Sequence, residues 1–402
     1  MNVEWLAKRR VLSSVCFGLA GLLAAAGNAV AHDFTIDIIN GVDSNPNKLT
    51  DTLDLDNGAF SETRFELSHT PGFTGYYYEL HIRNTDYVTG EETTSEDNTE
   101  ELDANLDLGW KWRPKTKNGR ATYRWEVNVN RKDSVYVDRS TGDVKTWYDV
   151  PIGERFDATW VEVKTNGKVP LSEDAKFVYE LKVKDKDYYD YQDEEFFYLS
   201  GNPAPPPSNL DYQQADLELG FEKEIWPNTQ FENSIVFARR NYTDRRAKDE
   251  DGNEILNSDL SYRYLEAKNG LDHRIAKRWK FKWGLNVYQR LDNEDGYYDS
   301  LAGKAYMRLR YRNGDYVRFT LGLSYNHRRY DNAIDDVNAE EESGRRREGF
   351  RFEAELIRRI VRKKFINLDV IIGARYEDFD NSNLKFAYDR GQIYGGIRWQ
   401  PF

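Results

Sequence analysis

The last third of the chain, residues 279–402, consists of segments in which apolar and polar side chains alternate. In the clearest of them, apolar side chains stand at every second position: Phe281, Trp283, Leu285 and Val287. Segments 307–312 and 317–326 follow the same rule, with arginine, glycine and small polar residues between the apolar ones. A period of two places each set on one face of a β-strand. Function therefore depends on what each face contacts.

Two architectures fit such strands. In a soluble sandwich the apolar faces pack on each other; in an outer-membrane barrel they face lipid, and the polar faces line a lumen. Charged residues make up 31% of the chain and apolar residues 39%, which is poor for a large soluble core, yet aromatics reach 14%. Only one apolar stretch approaches the length of a membrane-spanning helix, and it is N-terminal. This combination favours a barrel.

The N-terminal segment has the pattern of a cleavable signal peptide. Basic residues 8–10 precede an apolar run over residues 11–26, and Ala29-Val30-Ala31 forms a cleavage site. We therefore expect residues 1–31 to be removed and residues 32–402 to form one domain. The only cysteine, Cys16, lies in the leader, so the mature chain would hold no disulfide. The net charge of −12 becomes about −14 without the leader, which argues against nucleic acid as a partner.

Strand-like segments recur along the mature chain and are joined alternately by short turns and long polar loops. Turn signals include Asn118-Gly119, Asn166-Gly167 and Asn313-Gly314, and residues 243–257 read as a charged loop. The pattern predicts an all-β fold, a single transmembrane up-and-down antiparallel β-barrel of about 16 strands (14–18), with both termini periplasmic. Residues 138–155 and 188–209 are the candidate loops for a constriction inside the barrel.

In these features the chain resembles Gram-negative outer-membrane β-barrels of the porin type. The resemblance rests on the leader with Ala29-Val30-Ala31, the alternating strands through Trp399, and the terminal Phe402. It implies location in the outer membrane, contact with outer-membrane lipid, and recognition of the C-terminal strand ending at Phe402 by the barrel-assembly machinery. It also implies tryptophans at the membrane interfaces. The candidates lie near predicted strand ends: Trp110, Trp112, Trp125, Trp226, Trp279, Trp283 and Trp399.

If the apolar faces meet lipid, the polar faces identify the candidate pore lining. The predicted acidic lining comes from the first half of the chain: Glu66, Glu79, Asp103, Asp107, Glu126, Glu180, Asp216, Glu218, Glu222 and Glu232. The predicted basic lining comes from the second half: Lys280, Lys282, Arg290, Arg308, Arg310, Arg312, Arg318, Arg328, Arg351 and Arg375. Two opposed walls of unlike charge would orient dipolar solutes, and arginines would bind carboxylates or sulfates on sugars.

The resulting hypothesis is a porin-like channel for small hydrophilic solutes, anionic or oligosaccharide. Alternatives are a barrel that exports or assembles a surface polysaccharide or protein, a scaffold with a plugged lumen, and a secreted sandwich adhesin. A hydrolase would need a histidine cluster, and His69 and His81 could meet across the hairpin at Pro71-Gly72, near Asp86. No local motif supports catalysis, so we expect no enzyme, cofactor or metal. The oligomeric state and the solute stay open.

Overall fold

The structure is a computed structural model. It describes residues 33–45, 58–88, 100–135, 144, 146–147, 150–151, 153–154, 156–189, 210–332, 345–363, 366–382 and 387–401. The predicted signal peptide, the terminal Phe402 and most of the two candidate constriction loops lie outside these residues. Within the described ranges, no helix is long and apolar enough to cross a membrane.

Sixteen long strands form the fold. They are β1 (Asp33–Asp43), β2 (Gly58–His69), β3 (Gly75–Val88), β4 (Glu100–Trp112), β7 (Thr122–Ser134), β10 (Ala158–Pro170), β11 (Ala175–Tyr188), β12 (Tyr212–Trp226), β13 (Thr229–Lys248), β14 (Glu254–Ala276), β15 (Trp279–Asp292), β16 (Ser300–Asn313), β17 (Val317–Tyr330), β18 (Arg346–Lys363), β19 (Ile366–Asn381) and β20 (Tyr388–Gln400). Two small hairpins pair β5 (Lys115–Thr116) with β6 (Gly119–Arg120), and β8 (Thr146–Trp147) with β9 (Val150–Pro151).

The long strands form one closed antiparallel ring in chain order. Each pairs with its neighbour, and β1 pairs with β20 to close the barrel. Short turns and longer connections alternate, as predicted, and β1 begins at the end of the barrel where β20 finishes. The prediction of a single up-and-down barrel of about sixteen strands is confirmed. Closure pairs both edges of each of these sixteen strands, so the described ring leaves no strand edge open.

The apolar face of the barrel is convex and the charged face is concave. Large apolar side chains of one parity are exposed, among them Trp283 and Leu285. Side chains of the other parity reach past a whole strand: Lys268 of β14 binds Glu218 of β12, and Arg318 of β17 binds Asp369 of β19. Such contacts are possible only where side chains converge, which is inside the ring. The barrel is therefore apolar outside and charged inside.

An aromatic girdle surrounds the end with the short turns. Trp110 lies opposite Trp125 across β4 and β7, and both are exposed on the convex face. Ring pairs Trp112–Tyr123, Trp279–Tyr311 and Phe34–Trp399 continue the girdle around the barrel. Amphipathic rings at one height are typical of a membrane–water interface. Trp283 lies deeper in the apolar band, opposite Met307 and Leu271.

The turn predicted at Asn166-Gly167 is wrong. Both residues lie within β10, and the hairpin turns at residues 171–174 instead. Gly167 stands opposite Tyr179, and a side chain at residue 167 would overlap the tyrosine ring. Glycine here marks close approach of a neighbouring ring, which sequence alone does not distinguish from a turn. In the true turn the Ser172 hydroxyl donates to Asp174 (Oγ–Oδ1 2.5 Å) and holds the pKa of that carboxyl below its usual value.

The charged loop predicted at residues 243–257 is mostly strand. β13 runs to Lys248 and β14 begins at Glu254, so only residues 249–253 turn. Opposite charges stand across the ladder, Lys248 facing Glu254 and Arg246 facing Asp259. Cross-strand pairs of unlike charge stabilise this antiparallel hairpin, and Ala247 and Leu260 are buried in an apolar cluster with Tyr242 and Tyr262.

Candidate functional site: the concave face of the barrel

The strand register places all twenty predicted lining residues on the concave face. In the second half of the barrel the register aligns Lys282 with Arg308 and Arg310 with Lys280. In the first half it aligns Glu79 with Asp107, and Glu222 with Glu232. The alternation that identified these positions is a local property. It therefore assigns the correct face even though the turn at residues 166–167 and the loop at residues 243–257 were wrongly predicted. Their role in conduction stays a prediction.

The expected acidic wall is in fact mixed, because neighbouring cations neutralise most of its carboxylates. Lys164 binds Glu126 at 2.5 Å (Nζ–Oε1), and Lys182 binds Asp216 at 2.7 Å (Nζ–Oδ2). The other pairs join Glu218 to Lys268, Glu222 to Lys168, Glu232 to Lys282, Asp103 to Arg83, and both Glu66 and Glu79 to His81. The lysines of β10 and β11 follow the same alternation as the acids. The positions of these lysines in the sequence therefore already indicate a wall of mixed charge.

The basic residues divide into paired and unpaired groups. Lys280, Arg318, Arg351 and Arg375 contact carboxylates of Asp272, Asp369, Glu377 and Glu353, and Arg312 contacts Asp315 at the turn after β16. Within the part of the chain that the structure describes, Arg290, Arg308, Arg310 and Arg328 contact no carboxylate. All four lie on β15, β16 and β17.

The basic ladder consists of Lys304, Arg308 and Arg310 on β16. All three point to the concave face yet are exposed, so water reaches them inside the barrel. None contacts a carboxylate among the described residues, and the inward positions of β17 opposite them are Asn326, Gly322 and Thr320. Lys304 was not among the predicted residues, although it has the same phase in β16 as Arg308.

The basic ladder faces the wall that carries the first predicted acids. In the ring order, β16 and β4 are diametrically opposite. The concave face of β4 holds Asp103, Asn105 and Asp107, of which Asp103 pairs with Arg83 while Asp107 accepts a hydrogen bond from Asn128. The Asn128 amide is neutral, so the basic ladder faces one ion-paired carboxylate, Asp103, and one charged carboxylate without an ion-paired cation among the described residues, Asp107.

A second group of cations, the arginine–tyrosine belt, comprises Arg240, Arg290 and Arg328 with the tyrosines that contact them. It lies on β13, β15 and β17, toward the end of the barrel with the longer connections. Arg290 and Arg328 were predicted lining residues, whereas Arg240 was not, although it lies within the predicted strand and has the same phase in β13 as Glu232.

The structure separates the two histidines considered for catalysis. His69 lies on the convex face against the rings of Tyr76 and Tyr78, whereas His81 lies on the concave face between Glu66 and Glu79. The suggestion that they meet across the hairpin is therefore wrong. No group of three or more histidine, cysteine or acidic side chains with metal-binding geometry occurs in the described ranges. In the 249–253 turn, Asp249 accepts a hydrogen bond from its own turn residue Asn253.

A closed ring of sixteen strands with an apolar exterior and a hydrated, charged interior defines a β-barrel of the porin type. No protein-family description and no curated protein matches the sequence. The chain is similar to OccAB3 of Acinetobacter baumannii, with TM-score 0.40 and 10% identity over 92% of this chain and 98% of that one. It is similar to a BenF-like porin of Pseudomonas fluorescens Pf-5, with TM-score 0.43 and 9% identity over 93% and 100%. A bacterial polysaccharide outer membrane secretin has TM-score 0.38 and 6% identity over 93% and 99%.

Proposed function

We propose that this protein is an outer-membrane channel that admits small hydrophilic solutes with a preference for anions. The single observation that carries the proposal is the basic ladder of Lys304, Arg308 and Arg310, which is exposed on the concave face and contacts no carboxylate among the residues that the structure describes. Unpaired charges in a water-filled lumen with low-dielectric walls attract counter-ions and repel ions of like charge.

Location and orientation form part of the same proposal. The leader 1–31 directs export, with cleavage near Ala31, and the C-terminal strand ending at Phe402 engages the barrel-assembly machinery. Both termini then lie on the periplasmic side and the longer connections outside the cell. The protein acts by conduction, without catalysis or cofactor, and its convex face contacts outer-membrane lipid.

Ion selectivity in planar bilayers tests the proposal. The wild-type barrel should conduct, and its reversal potential in a KCl gradient should show preference for chloride. Changing Arg308→Ser and Arg310→Ser together should lower the chloride-to-potassium permeability ratio about two- to tenfold, because two water-screened charges together shift the relative free energies of the two ions by about 0.4–1.4 kcal/mol.

The control removes charge without altering the net balance. Lys282→Gln with Glu232→Gln deletes an ion pair (Nζ–Oε2 3.0 Å) from the same face and should leave selectivity unchanged. An unchanged permeability ratio in the Arg308→Ser, Arg310→Ser variant would show that these arginines do not line the conducting path. A folded barrel that shows no conductance at all would point to a plugged scaffold, or to an export barrel that opens only with its cargo.

A further inference from the structure

The arginine–tyrosine belt contains cations that sit among aromatic rings rather than carboxylates. Arg240 stacks over Tyr212 (4.1 Å from the guanidinium carbon to the ring centroid) and lies 5.6 Å from the ring of Tyr264. Its Nε donates to Gln214 Oε1 at 2.8 Å. No acidic side chain in the described part of the chain forms an ion pair with it.

Arg290 and Arg328 repeat this arrangement on β15 and β17. Arg290 lies 4.4 Å from the ring of Tyr262 and donates through Nε and Nη2 to the Tyr298 carbonyl oxygen, at 3.0 and 2.7 Å. Arg328 lies 5.3 Å from the ring of Tyr288 and donates to its hydroxyl and to that of Tyr330. The rings of Tyr262 and Tyr330 are themselves buried.

The tyrosines immobilise the guanidinium groups without neutralising them. A stacked guanidinium keeps its full charge, and the ring fixes the plane in which its N–H groups point. Protein acceptors use only some of these donors, and none of the three arginines contributes a buried, unpartnered nitrogen in the described ranges. The remaining donors therefore meet lumen water, in an orientation fixed before any solute arrives.

An arrangement of this kind is costly unless an anion completes it. Partly desolvated cations are normally paired with carboxylates, as most other cations on this concave face are. Ser300, which the register places between Arg290 and Tyr330, is also buried with an unpartnered hydroxyl among the described residues. The three arginines lie on β13, β15 and β17, two strands apart, so the strand backbones that carry them are separated by about 10 Å.

We propose that Arg240, Arg290 and Arg328 form a binding site for solutes that carry several carboxylate groups, such as short acidic oligosaccharides. Forked donors bind carboxylates in two parallel hydrogen bonds, and three such donors spread over five strands match an extended polyanion better than a single small ion. This inference deepens the proposed function by naming the solute class, and it rests on the lumen being open.

Blockade of single-channel current tests the site. The probe is trigalacturonate, with neutral maltotriose as comparison, added to the wild-type barrel and to Arg240→Gln, Arg290→Gln and Arg328→Gln. We expect trigalacturonate to interrupt the wild-type current at lower concentration than maltotriose. Each substitution should lower the affinity of the barrel for trigalacturonate about tenfold, the usual effect of losing a charge-assisted hydrogen-bond pair.

The chain supplies matched controls. Arg239 directly precedes Arg240, and Arg329 directly follows Arg328. Both control residues are exposed on the convex face. Arg239→Gln and Arg329→Gln remove the same charge from the same strands and should leave blockade unchanged. Equal effects of inward and outward substitutions would overturn the proposal.

Two further measurements keep the outcome decisive. Arg240→Lys, Arg290→Lys and Arg328→Lys retain charge but lose the fork, so a folded lysine variant that binds as tightly as wild type also overturns the site. If the barrel does not conduct, titration calorimetry of the detergent-solubilised protein with trigalacturonate still decides binding. Binding of trigalacturonate by a barrel that does not conduct would contradict the channel proposal and leave the binding site supported.

Discussion

Gly284 lies beneath the ring of Tyr306 on the concave face, directly beside the basic ladder. A side chain at residue 284 would overlap that ring. The glycine therefore lets Tyr306 lie flat across the strand instead of projecting between Lys304 and Arg308. A single hydrogen atom in place of a methyl group thus keeps part of the lumen clear.

We predict that Gly284→Ala forces Tyr306 toward the lumen, lowers single-channel conductance, and lowers the free energy of unfolding by about 1–3 kcal/mol, the usual cost of overpacking. Gly322→Ala is the control, because Gly322 also faces inward but its nearest obstacle, Glu353 Cβ, is 4.0 Å away. Conductance recorded for both variants checks the prediction. Identical behaviour at the two glycines would contradict it.

At the scale of elements, the contact between β1 and β20 is reinforced by buried ion pairs. Arg390 binds Asp43 through Nε (2.8 Å to Oδ2) and Nη2 (2.5 Å to Oδ2), and its Nη2 also donates to the Tyr87 hydroxyl at 2.7 Å. Arg398 binds Asp37 through both carboxylate oxygens, with Nε donating to Oδ1 at 2.7 Å and Nη2 donating to Oδ2 at 2.5 Å. Both pairs join the first strand to the last, so they fix the register at which the ring closes.

We predict that Arg390→Met destabilises the closed barrel by about 3–5 kcal/mol, because it leaves the fully buried Asp43 carboxylate without its cation. Arg351→Met is the matched control. Its pair with Glu377 is mostly exposed at the arginine, 62% against 9% for Arg390, so its loss should cost at most about 1 kcal/mol. The temperature at which gel migration changes from folded to unfolded measures both. Similar unfolding temperatures for the two variants would contradict the proposed role of the Arg390–Asp43 pair in the contact between β1 and β20.

For the whole molecule, closure converts unpaired charges on one wall into a field across the lumen. The basic ladder is in contact with water, so dissolved salt should screen it. We predict that the chloride preference of the wild-type barrel falls steeply between 0.1 and 1 M KCl, as the Debye length shortens from about 10 to about 3 Å. Reversal potentials at several salt concentrations provide the measurement. A constant permeability ratio would place the selective charges in a buried site instead.

The sequence by itself determined the alternation, the approximate strand number, and which residues share a face. These follow from a side-chain period of two, a local property that stands even where a turn is misplaced, as at Gly167. Only the tertiary structure decided which charges remain unpaired. Lys168 and Glu222 lie on strands that do not touch, and Asp43 and Arg390 lie at opposite ends of the chain. Such contacts depend on the register and curvature of the closed ring, which no local pattern contains. For the same reason, the exposed ladder on β16 and the arginines stacked on tyrosine emerged only once the barrel was closed.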